Sequence, residues 1–200
     1  MTVGSIKTQL KYGELRSLAI KDDTVAIVSY INVGLIDLYG RFSLSRGEQI
    51  IDQIDGTSMY SLNTDCMVVE AAYREDGTEI PINVDGDATS LFTPSYNTIQ
   101  IPNATTGTQI SILYVQNPVE MDGEAEDILT TSVLLPAQLM TPLLHYIGYR
   151  AHGSMNGDIK AENNTHLMRY EASVKRVKEL GLIRMDVVPS SVSLKEQVDE

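Results

Sequence analysis

Cysteine is nearly absent: a single Cys66 stands in 200 residues. One thiol cannot close an intramolecular disulfide and fits a reducing compartment, where it reads as a small, partly buried apolar residue. Long apolar runs are missing too. The longest charge-free apolar run, Thr24 to Ile36, is thirteen residues, short of the ~20 that span a bilayer. The N-terminus has no charged-then-apolar leader, so the chain is expected to be soluble, with no membrane partner and no cleaved signal. The glycosylation-like Asn163-Asn164-Thr165 then carries no meaning. GxGxxG, GxxxxGK[ST], HExxH and GxSxG patterns are all absent. With them goes the local signature of nucleotide binding, zinc proteolysis or a serine nucleophile.

Positive charge is scarce and unevenly placed. Residues 1–130 hold 7 Lys and Arg against 19 Asp and Glu, whereas residues 131–200 hold 8 against 8. The net charge of −12 therefore lies wholly ahead of residue 131. Nucleic-acid affinity comes mainly from cations neutralising phosphates, so ordinary DNA binding is disfavoured. DNA that slides past without sticking remains compatible with such a surface.

The 42% apolar content suffices for one sizeable core, burying roughly 70% of the unfolded surface for a chain this long. Val28, Ile31, Leu35, Leu38 and Phe42 recur at helical spacing and predict a helix from about Val25 to Ser43. Asp22, Asp23 and Thr24 offer its N-cap. Gly34 inside it costs about 1 kcal/mol against Ala, which a close approach by another backbone would explain. A short helix or arm, anchored by Leu10, Leu15, Leu18 and Ile20, precedes it.

From Thr57 to Val119 the period changes to two. Met67, Val69, Ala71 and Tyr73 alternate with Val68, Glu70, Ala72 and Arg74. Asp76-Gly77 then predicts a hairpin turn into Ile80, Ile82 and Val84. Further strands are expected at Thr98 to Ile101 and Thr108 to Gln116, set apart by Pro102-Asn103 and Thr106-Gly107. A small antiparallel sheet or sandwich results. A second helix is placed with Thr141 as N-cap and Pro142 at its first position, because a start at Pro136 would leave a proline inside. Leu144, Ile147, Ala151 and Met155 would line one face, with Gly148 leaving room for a partner. After Asn156-Gly157-Asp158, Leu167, Tyr170, Val174 and Val177 mark a third helix stopped at Gly181. The fold class is α+β: an N-terminal helix, an antiparallel β-rich insertion, a C-terminal antiparallel helix hairpin and an extended C-terminal arm. One domain is drawn over residues 1–182, its helical part at 20–45 and 136–182 and its insertion at 57–119, with the arm at 183–200.

Candidate sites are thin. His145 and His152 lie seven residues apart on one helix, about 10.5 Å along its axis, too far to share a zinc ion. Glu120, Asp122, Glu124, Glu126 and Asp127 lack the glycine placement of an EF-hand and read as a solvated loop. Asp85-Gly86-Asp87 reads as a turn. Arg150, Arg169, Lys175, Arg176 and Lys178 put cations on the last two helices, with Glu171 and Lys175 as an i,i+4 pair; they read as helix-surface support, the alternative being contact with acidic surfaces of neighbouring chains. No catalytic, cofactor or metal residue is assigned.

Five segments in order, VSYINVGLIDLYGRFSL, SMYSLNTDCMVVEAAYREDGTEIPIN, LFTPSYNTIQIPN, LLPAQLMTPLLHYIGYRAHGSMN and AENNTHLMRYEASVKRVKELGL, resemble the head-to-tail adaptor (connector) proteins of tailed bacteriophages. The similarity extends to the podovirus tail tubular protein A group and covers about Val25 to Leu182. The resemblance implies a structural virion protein of the phage neck or tail, made in the host cytoplasm and not an enzyme. It further implies a homo-oligomeric ring of about twelve copies closed by a repeated heterologous interface. The implied partners are the portal protein, a tail tube or nozzle protein, and genomic DNA leaving through the channel without specific binding. By the same analogy Tyr149, Arg150 and Arg169 fall to core or inter-subunit contacts. Leu182 to Glu200, with Arg184, Val187, Val188, Leu194 and Val198, falls to portal docking. The rival readings are a stopper or tail-completion protein and a small hydrolase or ligand-binding module.

Overall fold

The computed structural model describes residues 1–155 and 162–183. The described residues form two compact units: a helical one from Met1–Phe42 and the residues between 118 and 183, and a β-rich one from Ser43–Asn117. The class is mixed α and β, with four α-helices and two small antiparallel sheets among the described residues.

In the helical unit, α1 (Val3–Tyr12) opens on a capping box in which the Thr2 and Ser5 side chains each bond the other's backbone N–H. Val3, Ile6 and Leu10 on its inner face, then Leu15 and Leu18, are buried, so the weakly anchored leading segment is a built part of the core. The chain's first residues also pair with a distant stretch: Val3 N–H donates to Thr131 O at 3.0 Å and Val133 N–H to Met1 O at 2.8 Å. Helix α2 (Thr24–Phe42) starts where expected, with Asp23 as N-cap accepting from Ala26 N–H at 3.0 Å. All five stripe residues, Val28, Ile31, Leu35, Leu38 and Phe42, are buried. Its 19 residues have the length and apolar content of a membrane span. That composition is also what a core helix needs, and the stripe is packed inside this unit.

Helix α3 (Met140–Met155) departs from the expected start. A 3-10 turn at Ala137–Leu139 runs directly into it, so Pro142 is its third residue and not its first. The proline still sits in the first turn, where backbone N–H groups have no intrahelical acceptor, so no bond is lost. Its buried face differs too: Leu143, Tyr146, Ile147 and Ala151 are buried while Leu144 is only half-buried. The reason is that α3 packs against both α2 and α4 and so buries more than one stripe. Gly34 on α2 is where that packing is tightest. A Cβ there would come 2.7 Å from Leu143 Cδ1 and 3.0 Å from Tyr146 Cδ1. The close approach is by side chains of α3 rather than by its backbone.

Helix α4 (Glu162–Glu179) buries Tyr170, Val174 and Val177 and ends as predicted at Gly181, which takes φ +57°. Gly181 N–H bonds Lys178 O at 3.1 Å and Leu182 N–H bonds Val177 O at 3.2 Å, the paired bonds of a Schellman stop. Tyr146 meets Tyr170 edge-on at 5.2 Å and His152 stacks on His166 at 4.5 Å, so α3 and α4 run antiparallel. The loop expected at Asn156-Gly157-Asp158 lies outside the described residues.

The expected Glu171–Lys175 pair is not formed. Glu171 accepts two bonds from Arg41 on α2, at 3.0 and 2.9 Å, and Lys175 reaches forward to Glu179 at 3.6 Å. A planar guanidinium met in two places outcompetes an exposed lysine for the same carboxylate. Arg41 also holds Asp37 at 2.7 Å and lies over the Tyr170 ring, whose hydroxyl donates to Asp37. Burial and the Asp37 carboxylate push the Tyr170 hydroxyl far above its ordinary pKa, so it stays a donor.

In the β-rich unit, β1 (Arg46–Asp52), β6 (Gln109–Gln116) and β3 (Cys66–Arg74) form one antiparallel sheet in the order β1-β6-β3. β2 (Met59–Ser61), β5 (Thr98–Gln100) and β4 (Phe92–Ser95) form the other. A shared core of Ile51, Leu62, Cys66, Ala72, Leu91, Ile99 and Ile112 draws on both sheets and the loops between them. The strands at Thr98 and Thr108 appear within a residue or two of the expected limits. β1 was not anticipated: Arg46-Gly47-Glu48-Gln49 is polar, and Gly47 is there because the Tyr114 ring leaves no room for a Cβ. Strict alternation in β3 is broken by bulges at Cys66/Val68 and Val69/Ala71, so Ala71 and Ala72 are both buried.

The hairpin expected at Asp76-Gly77 is shorter than predicted. The turn forms, with Gly77 at φ +79° and Arg74 N–H bonded to Thr78 O at 2.9 Å. Pairing ends after Ile80 N–H meets Ala72 O at 2.8 Å. Pro81 comes next and has no N–H to give. Ile82 turns instead to a parallel bridge with Leu91, and Val84 is exposed. Asp85-Gly86-Asp87 is a turn as read, with Asp87 Oδ1 accepting from Thr89 N–H at 2.8 Å.

Candidate interaction groove in the helical unit

Helices α3 and α4 leave a groove of about 520 Å³ between them, at the α3 start and the α4 end. Pro142, Val177, Leu180 and Leu182 supply apolar wall, Arg169 and Arg176 supply positive charge, and the His145 imidazole lies beside them. Leu180 and Leu182 are 57% and 47% exposed, an unusual state for leucines at the edge of a recess. Arg169 and Arg176 are seven residues apart, two turns of α4, so both point to the same side about 10.5 Å apart along the axis.

Behind this groove lies a carboxylate among imidazoles. Glu14, in the turn after α1, places Oε2 2.9 Å from His166 Nδ1 and Oε1 3.8 Å from His145 Nε2. Arg169 Nη1 stands 4.0 Å from the same Oε2. His152 takes the Glu14 main chain, with Nε2 3.0 Å from the carbonyl oxygen; a carbonyl only accepts, so that nitrogen carries the proton. Gly148 makes the arrangement possible, because a Cβ there would stand 3.1 Å from both Glu14 Cβ and His166 Nδ1. Burial lowers the pKa of His166, Glu14 opposes that, and His152, Arg169 and His145 add to it. The group forms a clasp on the Glu14 turn: His152 of α3 bonds the Glu14 carbonyl, and the His166 imidazole of α4 stands against the Glu14 carboxylate. Among the described residues no set of three His, Cys, Asp or Glu is placed to hold a metal ion.

The residues singled out from sequence fall in different places. Arg169 lines the groove. Tyr149 is half-buried at the end of an aromatic row, edge-on to Tyr146 at 6.3 Å. Arg150 is exposed and not among the groove's walls. Arg184, Val187, Val188, Leu194 and Val198 lie outside the described residues. Sequence reasoning missed Glu14 and His166, weighed His145 only as a zinc ligand and placed Arg176 among the helix cations without a groove. It measured His145 to His152 along one helix, yet a seven-residue step returns to the same face, and the facing helix brought the third imidazole between them. Cys66 is buried, and burial with the Asp65 charge raises its pKa, leaving little thiolate.

The acidic segment read as a solvated loop is anchored to α2. Asn32 brackets Met121, donating to its carbonyl at 2.8 Å and accepting from its N–H at 3.1 Å. Asp122 Oδ1 accepts from Glu124 N–H at 2.9 Å. Glu120, Glu124, Glu126 and Asp127 remain exposed. Compared with protein-family models and with curated proteins, the sequence matches none.

Proposed function

We propose that this protein is a structural head-to-tail adaptor of a tailed-phage virion, a ring-forming part that continues the DNA channel beneath the portal and attaches the tail. The observation that carries the reading is the order of the resembling segments. They fall in turn on α2, on the β-rich unit twice, on α3 and on α4, which is the helical part and β-rich insertion that the resemblance implies. Two further features support it. The charge of −12 suits a wall that a polyanion must pass without adhering. The helical unit also presents a cationic, apolar-walled groove on its surface, the kind of feature a repeated subunit contact uses. In this reading residues 183–200 serve portal docking, and the protein has no catalytic role.

The test is negative-stain microscopy, with light scattering, of the chain mixed with the portal of its phage. A ring seated on the portal is expected. A portal that stays bare across a hundredfold range of chain concentration would refute the reading, whereas a lone chain staying monomeric would not, since the portal can template the ring.

A further inference from the structure

We infer that the groove between α3 and α4 is the seat for the acidic, apolar-edged segment 119–134 of a second copy of this chain. The inference rests on the ring reading for the presence of that second copy, and it deepens that reading by naming the two surfaces that meet.

Charge bookkeeping points to an acidic occupant. Acids outnumber bases 27 to 15, and several cations are already matched within the protomer: Lys11 with Asp22, Arg41 with Asp37 and Glu171, Arg46 with Glu70, Lys175 with Glu179. The groove arginines are different. Arg176 is exposed and meets no carboxylate among the described residues. Arg169 is 56% exposed and stands 4.0 Å from a Glu14 oxygen that His166 approaches to 2.9 Å. An unpaired Arg176 and an Arg169 held only at the outer limit of an ion pair, beside exposed Leu180 and Leu182, ask for a ligand that carries both carboxylates and apolar side chains.

Segment 119–134 has that chemistry. Glu120, Glu124 and Glu126 are exposed and make no ion pair among the described residues. Val119, Leu129 and Leu134 stand beside them at 86%, 46% and 74% exposure. The segment is also held in place before any partner arrives. Asn32 fixes Met121, and Gly123 sits so close to α2 that a Cβ would lie 3.0 Å from Val25 Cα. Little ordering entropy is then lost on docking. Both surfaces belong to the helical unit and each stays exposed in its own protomer, so neither serves the other there. A groove on one copy receiving a segment from the next is a heterologous contact, the kind that repeats around an axis. A polyanion such as DNA is a poorer occupant, because the protein's overall charge of −12 opposes its approach and its backbone offers nothing to cover Leu180 and Leu182.

The test follows the mass of the full-length chain by sedimentation velocity at low ionic strength, as concentration rises toward millimolar. Wild type is expected to associate, and to dissociate again as salt screens the pairs. R169Q/R176E in the groove and E120K/E124K/E126K in the segment should each weaken association at least tenfold. Combining all five changes should recover part of it, because the carboxylate introduced by R176E then faces the lysines of the segment. L134D keeps every groove charge and should weaken association as well; unchanged helical circular dichroism in each variant shows that the fold persists. A monomeric wild type, a groove variant that associates like wild type, or no recovery in the combined variant overturns the inference. So does capture of a synthetic 183–200 peptide by the wild-type groove, which would make the C-terminal segment its occupant. Portal decoration separates the two ideas: a ring on the portal despite any of these outcomes leaves the adaptor reading standing and removes only this interface.

Discussion

The bond from Tyr170 to Asp37 is the sharpest place to test how the helical unit is held together. Tyr170 is 1% exposed, its hydroxyl donates to Asp37 Oδ2, and that oxygen also takes Arg41 Nε at 2.7 Å. Tyr170→Phe keeps the ring, its edge-on contact with Tyr146 at 5.2 Å and its place beneath Arg41. Only the hydroxyl is lost. A hydrogen bond to a charged acceptor is worth about 1.5–3 kcal/mol, and the Asp37 side chain is 31% exposed, so water replaces part of it. A loss of about 1.5 kcal/mol is expected, lowering Tm by about 3–6 °C for a protein of this size. Asp37→Asn should lose more, because the charge that both Tyr170 and Arg41 Nε bond is removed, leaving Arg41 only Glu171. The double variant should recover about 1 kcal/mol relative to the sum of the singles, since the two changes remove one shared bond. Thermal unfolding at 222 nm, which weights the helices, measures all three. A Tyr170→Phe loss below about 0.5 kcal/mol together with additive singles would refute the network as a stabilising unit.

Gly34→Val should destabilise by about 2 kcal/mol, because the added branches meet Leu143 and Tyr146 in a packed helix contact; denaturant titration checks it. The His166 pKa is lowered in the fold from 6.5, so the unfolded chain takes up the proton first. Its contribution to stability is therefore full at neutral pH and is lost as pH falls below 6.5 toward the folded value. His166→Gln should flatten that slope in melts between pH 8 and 5; an equal slope in both proteins would mean that other groups set it. Cys66 should resist iodoacetamide in the native protein and react on unfolding, read by mass spectrometry with and without denaturant. Asn32→Ala should cost about 1–2 kcal/mol through two unpaired backbone groups at Met121, and hydrogen exchange should quicken locally there.

What could be read ahead of the structure was whatever the chain encodes locally. The α2 stripe repeats every turn, Asp23 caps it, and Gly181 stops α4, so each of these appeared close to its expected place. Errors arose where a second element decides. β1 carries a polar face and is a strand because β6 pairs with it along its whole length. The second arm of the Asp76-Gly77 hairpin ends early because Pro81 interrupts the ladder. Glu171 abandons its helical neighbour for Arg41, which is distant in sequence and close in space. The Glu14 clasp was illegible for the same reason: it joins a turn after α1 to two helices more than a hundred residues later, and nothing local marks it.

The helical unit is made from both ends of the described chain, with the β-rich unit spliced between Phe42 and Pro118. During synthesis, α2 leaves the ribosome with its apolar stripe bare, and its partner α3 follows about a hundred residues later, a delay of about 5–20 s at ordinary elongation rates. The inserted strands can pair and close their own core in that interval, because all their partners are already out. Timing thus favours a nascent chain whose middle is finished first and whose helical unit must be kept from sticking until the last helices arrive.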